Sequence, residues 1–214
     1  MLKKDLIIFD LDGTLIDSSE DIAWAVNKML RDMGFEEMPY PAIKERIGWG
    51  VSMLLEKVLP AEKHNLLDAA KGVFMGYYRN HLLVKTKPYD GVMDILEHFK
   101  NKKLAVATNK PVGLTTKILD DLNMSVYFRK VVGGDGVQNK KPSPEALEVI
   151  LKELNVLPHN AVFIGDSKID IEAGKKGGIM TIGAAYGFRG RRELEAAGAD
   201  VIIEDIKELI QKIL

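Results

Sequence analysis

Residues 5–18 read DLIIFDLDGTLIDS. The run from Leu6 to Phe9 has no polar residue alternating with its apolar ones, the pattern of a strand covered on both faces. It ends in two aspartates two positions apart, Asp10 and Asp12, with Gly13 behind them. Asp12-Gly13 is a good turn dipeptide and explains why the strand stops there. A turn does not explain Asp10, which still belongs to the apolar run.

Similar short runs recur along the chain: LAVAT at 104–108, KVVGG at 130–134, AVFIGD at 161–166, IMTIGA at 179–184 and VII at 201–203. Segments of helical period lie between them, starting near residues 91, 112, 143 and 169. Ser143 before Pro144 reads as an N-cap with proline in the first turn, and Gly177-Gly178 as a helix stop. Buried strands alternating with helices predict an α/β fold with a doubly wound, parallel, Rossmann-like sheet.

Residues 17–85 break this alternation. SEDIAWAVNKMLRDMGF, PAIKERIG, VSMLLEKVL and EKHNLLDAAKGVFMGYYRNHLL all have helical period, with no convincing strand. An ordinary crossover needs one helix, so the segment is predicted to be an inserted helical cap subdomain. Residues 1–16 and 86–214 would then form the core. An insertion leaving the C-terminal end of the first strand stands over the edge where such sheets bind ligands, the position of a lid.

Composition narrows the partners. The chain has 214 residues, 46% hydrophobic and 29% charged, with a net charge of −1, so neither nucleic acid nor an anionic membrane is an expected partner. No run is long enough to cross a bilayer, and the N-terminus lacks a signal-peptide pattern. With no cysteine, disulfides and thiol chemistry are excluded, and a cytoplasmic location is expected. His64, His81, His98 and His159 are scattered without metal-ligand spacing.

At the predicted carboxyl ends of the strands stand Asp10 and Asp12, then Thr108 and Asn109, then Asp166 and Asp170, with Lys141 in the loop NKKPSPE. Each has an ordinary local explanation alone, but together they describe one pocket at the sheet edge. Converging carboxylates need a positive partner, and oxygen ligands without histidine or cysteine suit Mg²⁺. Such a site with a lysine and a hydroxyl is equipped for phosphoryl transfer. Asp10 is placed to be the nucleophile, forming an aspartyl-phosphate, and Asp12 to move the proton.

These segments together resemble the haloacid dehalogenase superfamily of phosphohydrolases, in its branch with a helical cap after the first motif. DLDGTLID at 10–17, ATN at 107–109, KKPSPE at 140–145 and GDSKID at 165–170 match its four motifs in order. The resemblance implies that Asp10 and Asp166 ligate Mg²⁺, with the Asp12 backbone carbonyl also on the metal. It implies that Thr108 and Asn109 bind phosphoryl oxygens, that Lys141 stabilises the nucleophile, and that Asp170 holds the metal shell or Lys141. Gly13 would let the chain turn close to the phosphate, and Thr14 would orient Asp12. An aspartate at position 12 separates this chain from relatives that cleave carbon–halogen or carbon–phosphorus bonds.

The cap segment ERIGWGVSMLLEKVL at 45–59 is similar to the specificity loop of phosphoglycolate phosphatases. That implies a small substrate such as 2-phosphoglycolate, approached by Gly48, Trp49 and Gly50, with Arg46 or Lys44 meeting its carboxylate. The same glycines also read as a plain inter-helix turn, with Trp49 packing on the cap. The alternatives are a pyrophosphatase, a sugar-phosphate phosphatase, a β-phosphoglucomutase-like mutase, a receiver-like domain or a non-catalytic binding protein. The expected partner is a small phosphorylated metabolite, and the expected assembly a monomer or homodimer.

Overall fold

In the computed structural model, residues 2–214 are described. The first strand, β1 (Leu6–Phe9), is followed by a two-residue strand, β2 (Ile16–Asp17), and then by four helices. These are α1 (Ser19–Asp32), α2 (Tyr40–Lys44), α3 (Val51–Val58) and α4 (Leu67–Arg79). The chain returns through β3 (Lys87–Pro88) and continues as α5 (Val92–His98), β4 (Lys103–Ala107), α6 (Val112–Asp121) and β5 (Lys130–Val132). Next come α7 (Glu145–Leu154), β6 (Ala161–Gly165), α8 (Lys168–Lys176), β7 (Met180–Ala184), α9 (Arg191–Ala197), β8 (Val201–Ile203) and α10 (Leu209–Lys212).

Six strands form one sheet in the order β5-β4-β1-β6-β7-β8, every pair parallel. The chain moves outward from β1 to β4 and β5, then crosses back to β6 on the other side. The strand order therefore reverses between β1 and β6, and the crevice at such a reversal is where open α/β sheets take ligands. Register puts Phe9 beside both Val106 and Ile164, so the residues that follow these three strands emerge together.

Both faces of β1 are buried. Ile7 and Phe9 join the core with Val92, Ile95 and Ile118, while Leu6 and Ile8 join Leu147, Ile150 and Phe163 on the opposite face. Helices α5 and α6 thus cover one face and α7 the other, which is why no polar residue alternates in LIIF. Helix α7 begins at Glu145, one residue later than the sequence suggests. Pro144 lies just outside it, and the Ser143 hydroxyl accepts the Glu145 N–H at only 3.4 Å, so Ser143 is at most a weak cap.

The helical insertion is anchored by a ribbon that the sequence reading lacks: β2 and β3 pair antiparallel, Ile16 with Pro88 and Asp17 with Lys87. Beside it, the buried Asp21 carboxylate accepts the Lys85 and Thr86 backbone N–H groups and the Thr86 hydroxyl, at 2.8–2.9 Å to Oδ2. The departing and returning chains are therefore tied through one carboxylate. Within the insertion, Ile22, Val26 and Met29 of α1 and Ala70, Phe74 and Tyr78 of α4 form the buried stripes. No helix among the described residues is long and apolar enough to cross a membrane.

Asp21→Ala leaves two backbone donors and a hydroxyl without a partner in a buried place. It should lower unfolding free energy by about 3 kcal/mol, read from the urea midpoint at unchanged slope. A loss below about 0.5 kcal/mol would show that water replaces the clamp.

Candidate active site

The centre of the site is a buried lysine. Lys141 Nζ donates to Asp10 Oδ1 at 2.7 Å, to Asp170 Oδ1 at 2.7 Å and to the Ala107 carbonyl at 2.9 Å. Burial works against its charge, but the Asp10 and Asp170 carboxylates outweigh it and hold the ammonium above the usual lysine value. Asp170 is fixed in turn at the start of α8, where its Oδ2 accepts the Ser167 N–H and hydroxyl in a capping box. Both Asp170 oxygens are thus occupied, and of its two expected roles the geometry gives it the one on Lys141.

Asp10 and Asp166 remain less satisfied. Asp166 Oδ2 accepts the Phe188 N–H at 2.7 Å, while Asp166 Oδ1 and Asp10 Oδ2 receive no hydrogen bond among the described residues. Asp10, Asp166 and Asp170 each offer an oxygen within 4.8 Å of the others. Burial pushes the Asp10 carboxyl up to about 7, with Lys141 opposing and Asp170 adding to the rise. Burial, then the neighbouring Asp170 and Asp10, push Asp166 well above the carboxylate range. Two buried carboxylates with free oxygens form a donor set that could hold a hard divalent cation.

The backbone makes room for this arrangement. Gly13 has φ +91°, and a Cβ there would fall 2.3 Å from Asp166 Oδ2. Gly13 is therefore required by the close approach of Asp166 as well as by the turn.

Asp12 faces the other way. Its carboxylate accepts Lys110 Nζ at 2.8 and 2.9 Å and the Ser18 hydroxyl at 2.5 Å. Lys110 also donates to Tyr78 of the insertion at 2.7 Å. The expectation that Thr14 orients Asp12 is not met: Thr14 Oγ1 is buried with no hydrogen-bond partner among the described residues. Ser18 and Lys110 do that work. Lys110 was missed in sequence because it sits one position past ATN, and its partners lie 98 and 32 residues away.

Other expected residues divide into those that line the central cavity and those that do not. Asp10, Asp12, Thr108, Gly48 and Gly50 line it. Asn109 does not: its side-chain amide donates to the Gly48 and Lys141 carbonyls and accepts the Lys141 N–H, clasping the loops together. Arg46 is also corrected. Its Nε and Nη1 donate to the Lys57 and Ala42 carbonyls inside the insertion, and it does not line the cavity. Lys44 lies over the Phe188 ring, 5.1 Å from its centre, and Trp49 lies under Lys57 at 4.8 Å, so none of the three reaches the cavity. The cavity offers about 40 Å³ to the centres of water molecules.

A sequence model of haloacid dehalogenase-like hydrolases matches residues 7–184. The chain belongs to that family. Relatives include a phosphoglycolate phosphatase of Aquifex aeolicus, 45% identical, the match covering 86% of this chain and 85% of that one. Another, from Pseudomonas putida, is 34% identical over 96% of this chain and 78% of its own length. Among solved structures of the family, that of a predicted phosphoglycolate phosphatase from Haemophilus somnus 129PT aligns with a TM-score of 0.94 at 27% identity, covering 99% of both chains. The fold, helical insertion included, is thus shared along its length with that structure.

A carboxyl whose folded value is raised binds more protons folded than unfolded, so its contribution is held at low pH and lost as pH rises. For Asp10 that window runs from the ordinary carboxylate value of 3.8 to about 7. A cation bound by Asp10 and Asp166 competes with those protons. Adding a hard divalent cation such as Mg²⁺ should therefore raise the unfolding midpoint more at about pH 8 than at about pH 5. Equal gains at both pH values would place the cation elsewhere.

Proposed function

We propose that the protein is a Mg²⁺-dependent phosphomonoester hydrolase acting through an aspartyl-phosphate on a small phosphorylated metabolite, with 2-phosphoglycolate as its substrate. The observation that carries this reading is the Asp10 carboxylate. One oxygen is fixed on Lys141, and the other is free at the sheet edge beside Asp166. The names of the 45% and 34% identical relatives support the substrate.

The chemistry assigns one task to each side chain. Asp10 Oδ2 attacks phosphorus as the bond to the leaving oxygen breaks, and Lys141 holds the other oxygen so that the attacking one is aimed. Asp12 gives a proton to the leaving oxygen. It then takes one from a water that attacks phosphorus and frees Asp10. Mg²⁺, held by Asp10, Asp166 and the Asp12 carbonyl, would supply positive charge against the phosphoryl oxygens. Thr108, buried at the end of β4 and lining the cavity, is placed to donate its hydroxyl to one of them.

The insertion acts as a lid in this reading. The Asn109 amide meets the Gly48 carbonyl at 3.1 Å, and Arg189 of the core donates to the Ile47 carbonyl, so the loop is seated on the core. The cavity offers only about 40 Å³ to the centres of water molecules, and lifting of the loop would widen the way in for substrate. Reseating then excludes bulk water, and the tight enclosure favours a small leaving group.

A panel of small phosphate esters tests this. The highest kcat/KM should fall on 2-phosphoglycolate, by about tenfold or more, the effect of roughly 1.4 kcal/mol in the transition state. Chelator should abolish turnover and Mg²⁺ restore it. Equal rates across the panel would leave a general phosphatase, and full activity in excess chelator would rule out the metal.

A further inference from the structure

Lys110 sits where a leaving group must lie. It follows Asn109 in the loop between β4 and α6, its side chain is 4% exposed, and it lines the cavity between core and insertion. It is the one cationic side chain among the residues lining that cavity, whose insertion wall is apolar, with Ile22, Leu54 and Phe74. The polar end carries Asp10 and Asp12. A neutral leaving group would suit the apolar wall, whereas an anionic one beside Asp12 would be repelled unless a cation stood between them.

Resting on the phosphohydrolase reading above, we propose that Lys110 is the residue that selects a leaving group carrying its own carboxylate. An ammonium has three protons. Here two go to Asp12 and one to Tyr78, whose ring lies 5.0 Å beneath Nζ. An incoming carboxylate takes one of the two bonds now made to Asp12, which keeps the other and the Ser18 hydroxyl. Tyr78 belongs to α4, so the insertion fixes the distance at which Lys110 meets the substrate. The sensor is therefore assembled only when the insertion is seated. Arg46 and Lys44, the cations that the sequence offered for this task, do not line the cavity.

The test compares 2-phosphoglycolate with 2-phosphoglycolamide, which has the same shape and no carboxylate charge. Because Lys110 also contacts Asp12, the quantity read is the ratio of kcat/KM between the two esters, in which a common effect on proton transfer cancels. Wild type should favour the carboxylate, and Lys110→Met should reduce that preference by at least about tenfold, the size of a lost charged hydrogen bond. Lys110→Arg, which keeps the charge, should recover much of the preference. Should Lys110→Met fail to fold, Lys110→Gln gives the same comparison with donors retained. An unchanged ratio, whatever the absolute loss, would overturn the proposal and leave Lys110 serving Asp12 alone. Wild type cleaving both esters equally would also overturn it while leaving a phosphatase. Wild type cleaving neither with Mg²⁺ present would overturn the phosphoglycolate reading on which the proposal rests.

Discussion

Three carboxylates crowd the carboxyl edge of this sheet, and the Lys141 ammonium between Asp10 and Asp170 is what makes that crowd tolerable. Buried like charges repel strongly where water cannot screen them. Lys141 neutralises one and is held in place by much of the surrounding scaffold. The Ala107 carbonyl at the end of β4 receives its third bond, Asn109 fixes its backbone, and Asp170 is locked into the first turn of α8. The ends of β1, β4 and β6 are thus tied through one side chain. One ammonium does not balance three carboxylates, and the free oxygens of Asp10 and Asp166 are what suit the site to a divalent cation.

The other half of the site depends on the insertion. Asp12 follows β1 in the core, yet its partners are Ser18, at the threshold of α1, and Lys110, which is itself bonded to Tyr78 of α4. The group proposed to move the proton is therefore held by contacts that the insertion completes. Asp10, by contrast, has its contacts in the core. A division of this kind lets the nucleophile stay aimed while the insertion lifts, and lets proton transfer wait until it is seated.

Much of this was legible in the sequence, for physical reasons. LIIF and AVFIG could be read as central strands because burial on both faces removes every polar residue from them. Asp10, Asp12 and Asp166 stood out because a charge at the end of such a run needs a reason. The ribbon of Ile16–Asp17 with Lys87–Pro88 was not legible, since two residues per strand carry no period. Nor were Lys110 and Asp21, whose meaning lies in partners distant along the chain. Arg46 misled because a charge near a substrate loop looks available from sequence alone, whereas here it turns to two backbone carbonyls and does not line the cavity. Side-chain type and spacing located the strand ends, but which lysine faces which carboxylate is settled only by packing.

The central claim is that Asp10 becomes covalently bonded to phosphorus. It is tested most directly by rapid acid quench of the enzyme during Mg²⁺-dependent turnover of 2-phosphoglycolate, followed by mass spectrometry of its peptides. The account predicts a phosphoryl group on the peptide bearing Asp10, lost on treatment with hydroxylamine and absent from Asp10→Asn. Rapid turnover with no phosphoryl group there at any quench time, together with an active Asp10→Asn variant, would contradict it.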